Sequence, residues 1–200
     1  MFVVGGLAAC SSGPAPHPTP TTALGSFQLL AQGYLDKAEE QGYSDEQVAI
    51  VKRAVETGEV TFEDYKTSLS SALACVTDAG IYNEMYPVDE SRGFRYIDYF
   101  IQGPETGNST ADACIREDFE AIEALYQMQP SSVDAENSRF EKALDEQIMP
   151  CLDKLGLAFD TDGLSADEKW TKVLELSQEE PLPSDGTLGP VRTCMMNAGF

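Results

Sequence analysis

Histidine is almost absent from this chain of 200 residues, and what is missing constrains its function more than what is present. The single histidine, His17, lies in a proline-rich stretch near the start, so the folded part has no imidazole for a Ser-His-Asp or Cys-His nucleophile. The five cysteines contain no C-x2-C pair, which removes the usual zinc and redox spacings and leaves no metal or cofactor implied. Basic residues number 13 against 34 acidic ones, for a formal charge of -21, and none of either lies before Asp36. Such a surface repels nucleic acid and anionic headgroups, and no basic patch exists to offset it, so no nucleic-acid partner is expected. No βαβ alternation is visible, which argues against the two α/β lobes of a solute-binding lipoprotein.

Two EF-hand look-alikes fail on ligand chemistry. With Gly58 at loop position six, positions one and three are Arg53 and Val55; with Gly163 at position six, the closing position is Lys169. Asp160 to Gly163 therefore reads as a plain turn into the capping box Ser165-Ala166-Asp167-Glu168.

What the chain does have is a repeated helix ending. Thr61 to Ile81 reads as a helix capped by Thr61, with Glu63 and Asp64 in its first turn. Phe62, Tyr65, Leu69, Leu73 and Val76 form its apolar face, and Ser68, Ala72, Cys75 and Ala79 a stripe small enough for a neighbour to approach closely. Its close, C-x4-G followed by an apolar residue, recurs at Cys151 to Leu157 and at Cys194 to Phe200. In each a left-handed glycine ends the helix, and the apolar pairs Val76 with Ile81, Leu152 with Leu157 and Met195 with Phe200 fit a Schellman stop.

Further helices are expected from Ser26 to Gln41, from the capping box Ser44-Asp45-Glu46-Gln47 to Gly58, and from Thr110 to about Gln127 with Glu117, Glu120 and Glu123 outward. Another runs from about Asp134 to Leu155, kinked by Pro150, and the last two follow Ser165 and Pro190. Between Tyr82 and Gln102 the helical period disappears and aromatics crowd in, which predicts a β-hairpin with strands over 82–88 and 94–101. Alternation along Phe94 to Phe100 cannot turn every ring inward. Tyr82, Tyr86, Tyr96 and Tyr99 are accordingly the candidate binding surface for a partner or a sugar, against the plainer reading of packing onto the helices. The fold class expected is mainly α (α+β): a disulfide-stapled domain of about six or seven helices with one small hairpin.

Ahead of that domain, Met1 to Cys10 is an apolar run too short to span a bilayer, and it looks like a bacterial lipoprotein signal. Leu7-Ala8-Ala9-Cys10 matches the lipobox, in which the cysteine is lipidated, although the basic n-region of such signals is missing. Residues 11-25, rich in Pro, Ser and Thr, read as an extended tether, and 26-200 as a single helical domain. Export places the remaining four cysteines in an oxidising space, where three connectivities are open. Cys75 with Cys114 and Cys151 with Cys194 is the expected choice, since each joins a helix end to the next cysteine-bearing helix.

With these pieces assembled, the lipobox, SDEQV…GEVTFEDY…CVTDAGI, CIREDFEAIEALYQMQ and the terminal C-x4-G endings, the chain resembles a group of small, cysteine-containing actinobacterial lipoproteins. The resemblance implies export, lipid anchoring and disulfides; it carries no activity and no catalytic residues. The function expected is a lipid-anchored extracytoplasmic binding or accessory protein of the cell envelope, on the membrane through Cys10 and facing an envelope protein or wall glycan. The alternative is a carboxylate-dependent hydrolase of wall glycan, for which Glu84, flanked by Tyr82, Met85 and Tyr86, is the candidate acid.

Overall fold

A computed structural model of the chain describes residues 25–102, 109–180 and 187–200; Cys10, the lipobox and nearly all of the tether lie outside the described residues. The elements run α1 (Ser26–Asp36), α2 (Ala38–Gln41), α3 (Asp45–Thr57), α4 (Phe62–Asp78), β1 (Asn83–Met85), β2 (Tyr99–Ile101), α5 (Ser109–Asp118), α6 (Glu120–Met128), α7 (Pro130–Ala143), a π-turn (Leu144–Ile148), α8 (Met149–Lys154), α9 (Ala166–Glu179) and α10 (Pro190–Asn197). The domain is mainly helical with one two-stranded antiparallel hairpin and two disulfides. No described helix is long and apolar enough to cross a membrane.

The repeated endings behave as their composition dictates. Gly80, Gly156 and Gly199 take the left-handed conformation. The next residue's N–H then bonds back to the C3 carbonyl: Ile81 to Val76 at 3.1 Å, Leu157 to Leu152 at 3.0 Å, Phe200 to Met195 at 3.1 Å. Of the cysteines one turn earlier, Cys75 pairs with Cys114 of α5 and Cys151 with Cys194, with Cα atoms 5.7 and 5.8 Å apart. Ser68 and Ala72 of the small stripe on α4 are buried, and α5 packs against this helix with Cys114 bonded to Cys75.

Three expected helices are interrupted. Around Lys37, α1 gives way to α2, which Gly42 ends with φ 74°. Phe119, at φ -137°, separates α5 from α6 so that its ring can turn fully into the core. Thr110 lies inside α5, whose described start is Ser109. The helix expected from Asp134 begins earlier, with Pro130 at the first position of α7. Pro150 does not sharply break it. The missing N–H and the ring's clash with the carbonyl four residues back are taken up by one widened turn, in which Met149 N–H bonds to Leu144 O, five residues back.

The apolar interior gathers in distinct clusters. Tyr65, Leu69, Val51, Phe119, Ile122 and Leu125 centre the largest, between α1, α3, α4, α6 and the hairpin. Leu144, Ile148, Leu152, Val173 and Val191 centre a second among α7 to α10, around the Cys151–Cys194 bridge. Each such fully buried side chain contributes about 1.5–3 kcal/mol relative to exposure. Val76, Ala111 and Cys114 form a third, small cluster beside the other bridge.

Candidate functional site

The hairpin is shorter than its sequence suggests. Asn83 faces Ile101, Glu84 faces Phe100 and Met85 faces Tyr99. Pairing extends beyond the strands through Gln102 N–H to Tyr82 O and Tyr86 N–H to Asp98 O, both at 2.9 Å. Pro87 then cannot donate, and Pro87 with Val88 stand opposite Ile97 alone as a bulge before Asp89 and Tyr96 pair again.

Its second arm is held down by phenols from the helices. Tyr65 of α4, buried, donates to Ile97 O at 3.0 Å and accepts from Ile97 N–H at 3.3 Å. Tyr126 of α6 donates to Arg95 O at 2.7 Å, and the two rings stack 4.6 Å apart. Tyr99 packs edge-on against Phe119, Phe94 edge-on against Tyr126, and the Arg95 guanidinium lies 3.8 Å from the centre of the Phe62 ring. Burial pushes the Tyr65 and Tyr99 phenols up to about 12, and raises that of Tyr126 too. Glu123, expected to point outward, is half-buried beside these phenols, and its carboxyl is raised by burial.

The tip of the hairpin rests on α7. Arg92 pairs with Glu136 at 3.2 Å and lies over both Phe94 and Tyr96. Gly93, at φ 87°, approaches so closely that a β-carbon there would stand 2.6 Å from Ala135 O. Asp89 accepts from Ser91 N–H at 2.6 Å and from the Tyr96 hydroxyl at 3.1 Å, which hold its carboxyl below the usual range.

The four candidate tyrosines therefore separate. Tyr96 is half-buried and tied to Asp89, while Tyr99 turns toward the core. Tyr82 and Tyr86 stand on the outer face, 56% and 42% exposed, joined there by Phe100 at 46%, which sequence reasoning missed. The signal available for it was its place two residues after Asp98, on a strand whose alternation cannot bury every ring. With Met85 and Val88, five of the eleven exposed large apolar side chains among the described residues lie on this hairpin. Scattered exposed apolars need no explanation; Tyr82, Tyr86 and Phe100, grouped on one face of the hairpin with Met85 on the other by register, make that face the candidate surface.

The outer face is a small grid of cross-strand pairs: Tyr82 with Gln102, Glu84 with Phe100, Tyr86 with Asp98. Tyr82 and Phe100 touch with ring centres 6.3 Å apart, and the Tyr82 hydroxyl reaches the Glu84 carboxylate at 3.4 Å. Glu84 is exposed among them.

Two other features have the outline of a site. Asp160 accepts from Asp162 N–H at 3.0 Å and Ser165 closes its capping box with Glu168, so the Asp160 to Gly163 stretch is spent on turning the chain into α9. A shallow groove of about 480 Å³ runs between α1 and Glu120, lined by Leu29, Gly33, Tyr34 and Tyr43. Among the described residues no group of three or more metal-ligating side chains comes together. No family model, curated protein or solved structure matches this chain.

Proposed function

We propose that this protein is a lipid-anchored extracytoplasmic binding or accessory protein of a bacterial cell envelope, tethered through Cys10 and engaging its partner, an envelope protein or wall glycan, through the outer face of the hairpin. The observation that carries the reading is the exposed Tyr82, Tyr86 and Phe100 cluster on a hairpin whose second arm, which carries Phe100 and pairs with the arm of Tyr82 and Tyr86, is pinned by Tyr65 and Tyr126. Rigid rings supply contact area at little entropic cost when their support does not move. Two disulfides support an oxidising compartment, and the Leu7 to Cys10 motif supports the anchor. The hydrolase reading would need a second carboxylate across a cleft from Glu84. Glu84 stands on an open face, which favours binding over catalysis.

The test is fractionation of cells expressing the full chain. Wild type should sediment with membranes and carry a lipid adduct on Cys10, and Cys10→Ala should lose both. Wild type without an adduct would end the anchoring half of the proposal. A tagged soluble form should be retained on envelope fractions, with Tyr82→Ala/Phe100→Ala lowering retention at an unchanged melting temperature. Unchanged retention would end the binding half.

A further inference from the structure

The proposed binding face has a chemical preference set by the residues that neighbour its rings. Along β1 and its extension Tyr82, Glu84 and Tyr86 point one way, and Asp98, Phe100 and Gln102 oppose them. Every one of the six is exposed, and each ring has a carboxylate either directly across the pair or two residues along its own strand. Among the described residues no cation interrupts the grid. The hairpin's two basic residues are engaged elsewhere, Arg92 with Glu136 and the rings of Phe94 and Tyr96, Arg95 on Phe62 and 3.9 Å from Glu90.

A ring face attracts a cation through its quadrupole, and a carboxylate beside the ring attracts the same cation by charge. An anionic or neutral polymer meets only half of that, and the formal charge of -21 works against anything anionic. Spacing selects the form of the cation. Positions 82, 84 and 86 recur about every 6.4–6.8 Å along the arm, the interval at which an extended peptide presents alternate side chains on one side.

We propose that this face docks an extended basic segment of another polypeptide, laying Lys or Arg side chains across Tyr82, Phe100 and Tyr86 with their charges met by Glu84 and Asp98. This rests on the binding function proposed above and narrows it to one class of partner. Glycan becomes the competing outcome.

The probe is a fluorescein-labelled eight-residue peptide alternating arginine and serine, titrated against the oxidised domain and followed by anisotropy and by amide chemical shifts. Shifts should concentrate on residues 82–86 and 98–102. Replacing the rings by Tyr82→Leu/Phe100→Leu should weaken binding about fivefold, the two ring contacts together. Glu84→Gln/Asp98→Asn should weaken it roughly tenfold at low salt, with the difference shrinking as salt rises. The control Glu39→Gln/Glu40→Gln removes equal charge from two exposed positions on α2, outside the hairpin, and should change affinity less than twofold. Equal losses from control and hairpin variants, or shifts spread over the whole surface, would overturn the proposal as non-specific attraction to an acidic protein. Titration with chitotetraose separates the readings further: sugar binding on these residues without peptide binding would reject the basic partner while leaving the binding function intact. Binding of neither probe, with envelope retention insensitive to the hairpin variants, would remove both. All of these side chains are exposed, so melting temperatures should stay within a degree or two of wild type.

Discussion

The Gln47 side-chain oxygen accepts the Ala121 N–H at 2.9 Å, from a residue that is completely buried. The same amide donates to Arg116 O at 2.8 Å and to Glu117 O at 2.7 Å, so one side chain satisfies the loose carbonyls ending α5 and a loose N–H starting α6. Ser44 N–H donates to the Glu117 carbonyl as well, at 2.8 Å. Gln47 thus does not complete the capping box expected of it: Ser44 accepts from Gln47 N–H, and the reciprocal bond is replaced by the tie to α5. Gln47→Met keeps the length and removes three hydrogen bonds from a buried site. It should destabilise by on the order of 3 kcal/mol, since each stranded buried polar group costs about 1–3 kcal/mol. A urea midpoint unchanged from wild type would show that water replaces the amide.

Two glycines should respond to alanine with opposite signs. Gly33 lies in α1, and a methyl group placed on its Cα would meet nothing within 4 Å, so Gly33→Ala should stabilise by up to about 1 kcal/mol through helix propensity. Gly93 combines φ 87° with the Ala135 carbonyl 2.6 Å from where a β-carbon would sit. Gly93→Ala should cost about 2 kcal/mol or more, because left-handed strain and the clash add. Thermal melts of the two variants side by side decide it.

Much of this architecture was legible because it is written in local rules. Thr61 and Ser165 cap their helices, the three C-x4-G endings close as Schellman stops, and the aromatic stretch is the hairpin. What was not legible depends on partners distant in sequence. Phe119 breaks a helix whose apolar period runs straight through it, because burying its ring and coupling to Gln47, 74 positions from Ala121, outweigh continuous helical bonding. Gln129 looks like an ordinary polar residue, yet it is buried and accepts Val60 N–H at 2.8 Å while donating to Ser132. Glu123 falls on the polar side of its helix by period, yet it is half-buried near the phenols of Tyr65 and Tyr99, which come from other parts of the chain. On the candidate face, the crowding of rings was visible, but which of them faced outward depended on the bulge at Pro87 and the register it sets.

Stability should decline at alkaline pH. Tyr65 and Tyr99 have phenols pushed up to about 12 by burial from an ordinary 10. Between these values the folded protein keeps protons that the unfolded chain has lost. Their contribution is therefore fully present below pH 10 and is lost as pH rises through 12. Tyr65, at 1% exposure, accounts for on the order of 2–3 kcal/mol of that loss. Urea midpoints taken between about pH 9 and about pH 11.5 should fall for wild type and fall less steeply for Tyr65→Phe, even though that variant starts lower for want of its bonds to Ile97. Glu123, raised by burial, has the same sign at acid pH: its contribution is present below the ordinary carboxylate range and fades as pH rises through the raised value. Glu123→Gln should accordingly flatten the profile on that side. Parallel wild-type and variant curves would mean these groups are solvated in the folded state.

The two disulfides should fail separately. Cys75–Cys114 joins α4 to α5 beside Val76 and Ala111, next to the segment that leads into the hairpin. Cys151–Cys194 joins α8 to α10 within the cluster of Leu152, Val173 and Val191. They close loops of 39 and 43 residue steps, and on the chain-entropy argument each stabilises by about 4 kcal/mol. Near-equal closure predicts near-equal global loss, so what distinguishes the bridges is where the loosening appears. In Cys151→Ser/Cys194→Ser, hydrogen exchange should accelerate in α8 and α10, whose terminal turns rest on the Leu152 to Leu157 and Met195 to Phe200 stops, while the amides of α3 and α4 keep their protection. In Cys75→Ser/Cys114→Ser the acceleration should fall on α5 and the base of the hairpin, and the Tyr65 and Tyr126 ties at Ile97 and Arg95 should hold the far part of that arm in place. Uniform acceleration across both clusters in either variant would show that they unfold as one cooperative unit, and that the bridges act on the chain as a whole.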